Sequence, residues 1–190
     1  KLRSGNTQIM QGNHDMSTNQ WYHIAFVRKS GTLKYYLNGT EKLSVSNSTN
    51  FTNNDYKIGS YLTGGPYSVK GYIDEWRQSN VARYSQAFTP TTSAFEADGY
   101  TNLLLHFDGT NGDTTTTDDT GTTSQDYEQA VTFDGTSDYL SHTSSTGFTD
   151  GKEMTISLWF RLDNLSNTAF PISLGNISYA EDGFHVLITT

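Results

Sequence analysis

Acidic side chains are the clearest chemical resource in this chain. Asp74 and Glu75 are adjacent within SVKGYIDEWRQ, residues 68–78. Glycosidic hydrolysis needs two carboxylates facing each other across a cleft. On a regular strand, neighbouring side chains point to opposite faces, so this pair would not flank one bond. A second concentration runs from Asp108 to Asp126, DGTNGDTTTTDDTGTTSQD, with five acids and no large apolar residue. It reads as a structureless linker or as an acidic loop that closes over an ion. Calcium, which takes about six to eight oxygen ligands and often finds them on loops, suits such a run. Tyr61, Tyr67 and Trp76 lie at or near the turn Thr63-Gly64-Gly65-Pro66. They could form a platform that stacks on sugar faces, unless Trp76 is a core residue and the tyrosines only cover an edge. His14, His23, His106, His142 and His185 have no metal-ligand spacing and no cysteine beside them. His23 and His106 fall within strands and are expected to be packed residues. No nucleophile elbow and no phosphate-cradling glycine loop is present.

Composition narrows the partners. Among 190 residues, 20 acidic against 12 basic side chains give a net charge of −8, so nucleic acid and anionic membranes are unfavourable partners. No apolar run approaches the roughly 20 residues of a membrane-spanning helix. No signal peptide is legible, and the chain opens mid-pattern, as a processed or partial piece would. With no cysteine, the fold rests on its core alone. Few charges, many Thr, Ser, Asn and Gly, and 13% aromatics are usual on extracellular and virion β-proteins.

The elements that must position these groups are strands. In QWYHIAFVRKSGTLKYYLNG, residues 20–39, bulky and β-branched side chains surround the breaker Lys29-Ser30-Gly31. Leu33, Tyr35 and Leu37 face one way and Lys34, Tyr36 and Asn38 the other. Asn38-Gly39 is a second turn signal, leading into Thr40 to Val45. Further strands are expected at 7–10, 56–61, 68–78, 102–107, 128–133, 138–141, 153–162, 169–174 and 183–188, with an irregular start at Lys1. In 68–78, strict alternation puts Tyr72, Asp74, Trp76 and Gln78 on one face and Ile73, Glu75 and Arg77 on the other. In EMTISLWFRL, Ile156, Leu158, Phe160 and Leu162 share a side. Residues 79–96 predict a 3₁₀ turn and a strap across the sandwich edge. No segment has a convincing helical period, so the fold class is an antiparallel β-sandwich.

Three segments together resemble the laminin G-like, concanavalin A-like jelly-roll family. They are QWYHIAFVRKSGTLKYYLNG at 20–39, KGYIDEWRQSNVARYSQAF at 70–88, and AVTFDGTSDYLS with MTISLWFRL at 130–141 and 154–162. In the family the last of these come first. Placed end to end, FHVLITT and KLRSGNTQIMQG read as uninterrupted family sequence. The expected organisation is therefore 1–107 as the C-terminal part of a sandwich, 108–126 as an acidic Thr-rich linker, and 127–190 as the N-terminal part. The two parts either belong to successive repeats, the arrangement preferred from sequence, or close one permuted sandwich. A half-sandwich alone would expose unpaired strand edges, so each part needs a complement.

The resemblance implies a structural and adhesive module of an extracellular or virion fibre. Its partners would be neighbouring repeats or copies of the same protein, and surface glycans. Family position suggests Asp74, with Asp108, Asp113, Asp118 or Asp119, as calcium ligands. A calcium-dependent soluble lectin is the alternative. Glycoside hydrolysis is more remote, since glucanases of this fold carry three acids spaced E-x-D-x-x-E and this sequence has none.

Overall fold

A computed structural model describes residues 1–4, 7–13, 15–49, 51, 55–60, 68–109, 120, 130–143, 152–164, 168–174 and 184–188. Among them there is no helix. The strands are β1 Leu2–Ser4, β2 Thr7–Met10, β3 Trp21–Lys29, β4 Thr32–Leu37, β5 Thr40–Ser46, β6 Asp55–Ile58 and β7 Lys70–Ser79. They continue with β8 Thr101–Leu105, β9 Val131–Asp134, β10 Leu140–Thr143, β11 Met154–Leu162, β12 Ala169–Leu174 and β13 Phe184–Ile188. Two antiparallel sheets result. One has the order β10-β6-β12-β13-β1-β2, the other β5-β4-β3-β11-β7-β8, with β9 also paired to β7.

The β3–β4–β5 meander forms where the turn chemistry requires it. Ser30-Gly31 and Asn38-Gly39 each hold positive φ at both central residues, as two-residue hairpins matched to sheet twist need. The inward rows Tyr22, Ile24, Phe26 and Ile156, Leu158, Phe160 meet Leu2, Ile58, Ile172, Phe184 and Val186 of the other sheet in a single core. β1 was not expected from sequence. Its three residues are ordered by pairing with β13 and β2 rather than by their own propensity.

The two parts of the chain interleave. β11 lies between β3 and β7, and β12–β13 lie between β6 and β1. Strands from each part are thus neighbours of strands from the other within one chain. Lys1 and Leu187 exchange hydrogen bonds of 2.8 Å in both directions, so the junction inferred from FHVLITT and KLRSG is an antiparallel pair. A circular permutant that joins residue 190 to residue 1 and opens within 111–125 is expected to fold to the same sandwich. Its far-UV spectrum should be unchanged and its thermal midpoint should lie within about 5 °C of the parent. An unfolded permutant would refute the interleaving.

Two sequence expectations fail at β7 and beyond it. Glu75 and Trp76 both stand opposite Leu158, a β-bulge with Glu75 at φ 52°. Parity therefore slips by one. Ile73 and Trp76 enter the core, while Tyr72 and Asp74 keep the outer side. The segment 80–99 forms no 3₁₀ turn, and it covers the outer face of the seven-stranded sheet rather than an edge. Ala82, Tyr84 and Phe88 pack there on Ala25, Val27 and Tyr36. The strap is tied down at several points: Phe95 N–H donates to Glu75 Oε2 at 2.6 Å, Phe88 N–H to Gly39 O at 3.0 Å, and Arg83 N–H to Thr155 Oγ1 at 2.9 Å. A side chain at Gly39 would collide with the Phe88 carbonyl, so the same glycine serves the turn and the strap.

Candidate functional site

Alternation on the seven-stranded sheet produces outward rows that cross three strands. β11 pairs with β3 as Arg161↔Trp21 and Trp159↔His23, and with β7 as Arg161↔Tyr72 and Trp159↔Asp74. The strap covers the second of these rows. His23 is 0% exposed and meets the rings of Tyr84, Phe88, Phe95 and Trp159 edge-on at 5.4 to 6.1 Å. Burial, with the Arg77 charge beside it, pushes His23 down to about 4.

The first row lies beyond the strap and is open. Trp21 is 38% exposed, an unusual position for a large ring. Its centroid lies 6.3 Å from that of Tyr72, with the planes tilted by 56°. Arg161 sits between them, its Cζ 4.1 Å from the Tyr72 ring centroid and 6.0 Å from that of Trp21. Arg161 Nε approaches Asp163 Oδ1 at 3.5 Å, and both side chains are about one-third exposed. Asp163 is fixed by its own N–H, which donates to Lys70 O at 2.9 Å. Gly71 has φ 152°, and a Cβ there would strike the Arg161 carbonyl, so glycine permits this close approach of β7 to β11. The result is a pair of aromatic rings flanking a cation, with an anion beside that cation.

Asp74 borders this row on β7 and is half-buried. Burial, then the charges of Glu75 and Asp108, push it up to about 7, while His106 acts in the opposite direction. Asp74 Oδ1 accepts the Glu75 N–H at 2.9 Å. Glu75 is buried and engaged at both oxygens, by Phe95 N–H and by His106 Nδ1 at 2.8 Å. The bulge thus removes the simple reason for separating Asp74 from Glu75, yet Glu75 is committed to anchoring the strap.

The expected site residues fare unevenly. Trp76 is 0% exposed and packs in the core, so its indole cannot offer a face to a sugar; the parity slip at Glu75 turned it inward. Tyr61 and Tyr67 lie outside the described residues, as do Asp113, Asp118 and Asp119. Asp74 and Asp108 are close enough to influence each other's charge. Among the described residues no group of three or more His, Asp or Glu side chains is arranged to hold a metal. Two carboxylates alone do not make the oxygen cage that calcium takes, so the described residues do not fit the ion by themselves. His23 and His106 are packed residues, as expected. An apolar cavity of about 40 Å³ between the sheets, lined by Met10, Met16, Tyr35 and Leu187 among others, is small beside ligand pockets of roughly 300 Å³ and more.

Sequence reasoning missed Trp21, Tyr72, Arg161 and Asp163. The parity of Ile156, Leu158 and Phe160 already placed Arg161 outward. The register that lines it up with Trp21 and Tyr72 is a long-range fact with no local signal.

Residues 2–89 match the family model described as the concanavalin A-like lectin/glucanases superfamily, in its laminin G-like form. No curated protein and no solved structure matches the chain. The matched segment ends inside the strap, and it supplies β1 to β7 of the two antiparallel sheets. Residues 2–89 are thus similar to a laminin G-like domain of the concanavalin A-like superfamily, and at the level of that family the similarity supports a lectin-like or adhesion module.

Proposed function

We propose that this chain is a non-catalytic adhesion module of an extracellular or virion fibre, and that it binds surface glycans through the open row Trp21–Arg161–Tyr72. The observation that carries the reading is that row. An aromatic face, a stacked guanidinium and a carboxylate converge where the strap leaves the sheet uncovered. Sugars present one face of C–H groups and a rim of hydroxyls, which suits such a mixture. Laminin G-like domains are generally non-catalytic, and the engagement of Glu75 in holding the strap supports the same view. The polar, cysteine-free composition supports an exposed setting.

A glycan array with and without chelator tests this. Wild type should bind in both conditions, and Trp21→Ala should weaken binding about tenfold, the loss of roughly 1.4 kcal/mol of stacking. The calcium-dependent lectin is the second reading. It is favoured by the mutual repulsion of Asp74 and Asp108, which a cation would relieve. Binding that disappears with chelator and survives Trp21→Ala would select it.

A further inference from the structure

We infer that the sugar taken by the Trp21–Arg161–Tyr72 row is a neutral pyranose gripped through a vicinal diol, and not a carboxylated or sulfated one. This inference rests on the glycan-binding reading above and specifies its ligand class.

The central polar pair sets the class. Arg161 and Asp163 neutralise each other at 3.5 Å, a separation too long for a good hydrogen bond. Among the described residues, Arg161 Nε and Asp163 Oδ1 find no other hydrogen-bond partner. Asp163 Oδ2 and the guanidinium Nη groups remain as further hydrogen-bonding atoms on side chains that are each about one-third exposed. A hydroxyl both accepts and donates. One hydroxyl of a vicinal diol can accept from the guanidinium while its neighbour donates to the carboxylate, at the spacing that adjacent ring carbons impose. An anionic group would gain only the Arg161 half and would meet Asp163 directly. Asp134 on β9, opposite Lys70, adds negative charge beside the row, where Lys70 partly offsets it. The guanidinium lies nearer the Tyr72 ring than the Trp21 ring, and Trp21 is the more exposed of the two rings, the one better placed to meet ring C–H groups.

The test compares neutral hexose oligosaccharides with uronate-containing, sialylated and sulfated ones by titration calorimetry. The proteins are wild type, Trp21→Ala and Asp163→Asn, each checked for an unchanged far-UV spectrum. Wild type should prefer neutral sugars by about tenfold or more. Asp163→Asn should lose about tenfold for neutral sugars and gain for acidic ones. Monodeoxy analogues give a readout independent of any variant: removing either hydroxyl of the gripped pair should cost about tenfold, and removing others little. A wild-type preference for acidic glycans that Trp21→Ala abolishes would overturn the neutral class and leave the glycan reading standing. Equal binding of every monodeoxy analogue, or an unchanged preference in Asp163→Asn, would also overturn it. Failure of wild type to bind any sugar would overturn both.

Discussion

Arg28→Ala is expected to lower the unfolding free energy by about 3 kcal/mol, which for a chain of this size shifts the thermal midpoint by roughly 10 °C. Arg28 follows Tyr22, Ile24 and Phe26 in the inward row of β3 and is 0% exposed. Its Nε donates to Lys152 O at 2.9 Å and its Nη1 to Thr49 O at 2.6 Å, with a longer contact of 3.4 Å to Asn47 Oδ1. Its guanidinium stands 5.2 Å from the Phe51 ring centroid. One side chain therefore holds the end of β11 and the loop after β5 to the same corner of the core. Alanine leaves these acceptors without their donor and opens a cavity. Arg28→Met refills the space but not the hydrogen bonds, and should cost about 2 kcal/mol. Arg28→Lys cannot span the acceptors with one ammonium and should do no better than methionine. Burying a cation without a carboxylate carries a desolvation cost that works against these bonds. Chemical denaturation decides: a methionine variant as stable as wild type would mean that these bonds contribute nothing net.

The same corner shows how far a sequence of this kind can be read. Hairpins were legible because Ser30-Gly31 and Asn38-Gly39 are local signals with one cheap conformation. The inward row of β11 was legible because period 2 survives along an uninterrupted strand. β7 was not, because nothing in YIDEWRQ announces that Glu75 takes a positive φ; the bulge is held by Phe95 and His106, 20 and 31 residues away. That slip moved Trp76 out of the candidate platform and into the core. It also defeated the argument that Asp74 and Glu75 face apart. The open row was invisible for a different reason. Trp21, Tyr72 and Arg161 come from three strands far apart in sequence, and only pairing register makes them neighbours. Where the strap lies then decides which outward row is covered and which is open.

Acid should destabilise this fold by roughly 1.4 kcal/mol per pH unit between about pH 6.5 and pH 4, and two substitutions should change that slope in opposite directions. His23 is pushed down to about 4 by burial and by Arg77, and His185 to about 4 by burial and by Arg3. In this window the unfolded chain protonates both imidazoles and the native protein neither, so falling pH favours unfolding. Asp74 behaves oppositely. Raised to about 7, it holds a proton in the native state that the unfolded chain has already released above its ordinary value of 3.8. The unfolded state thus binds two protons against one, a net of one. Asp98 and Asp134 are held below the usual carboxylate range, first by Arg83 and by Thr136 respectively, and act only under about pH 4. Asp74→Asn removes the opposing proton and should double the slope to about 2.7 kcal/mol per unit. His23→Phe keeps a ring among Tyr84, Phe88, Phe95 and Trp159 and should flatten it to near zero. Urea unfolding at half-unit steps from pH 4 to 7 measures all three proteins. A wild-type slope of zero, or a slope that His23→Phe leaves unchanged, would mean that the imidazole under the strap is reached by protons before the fold opens.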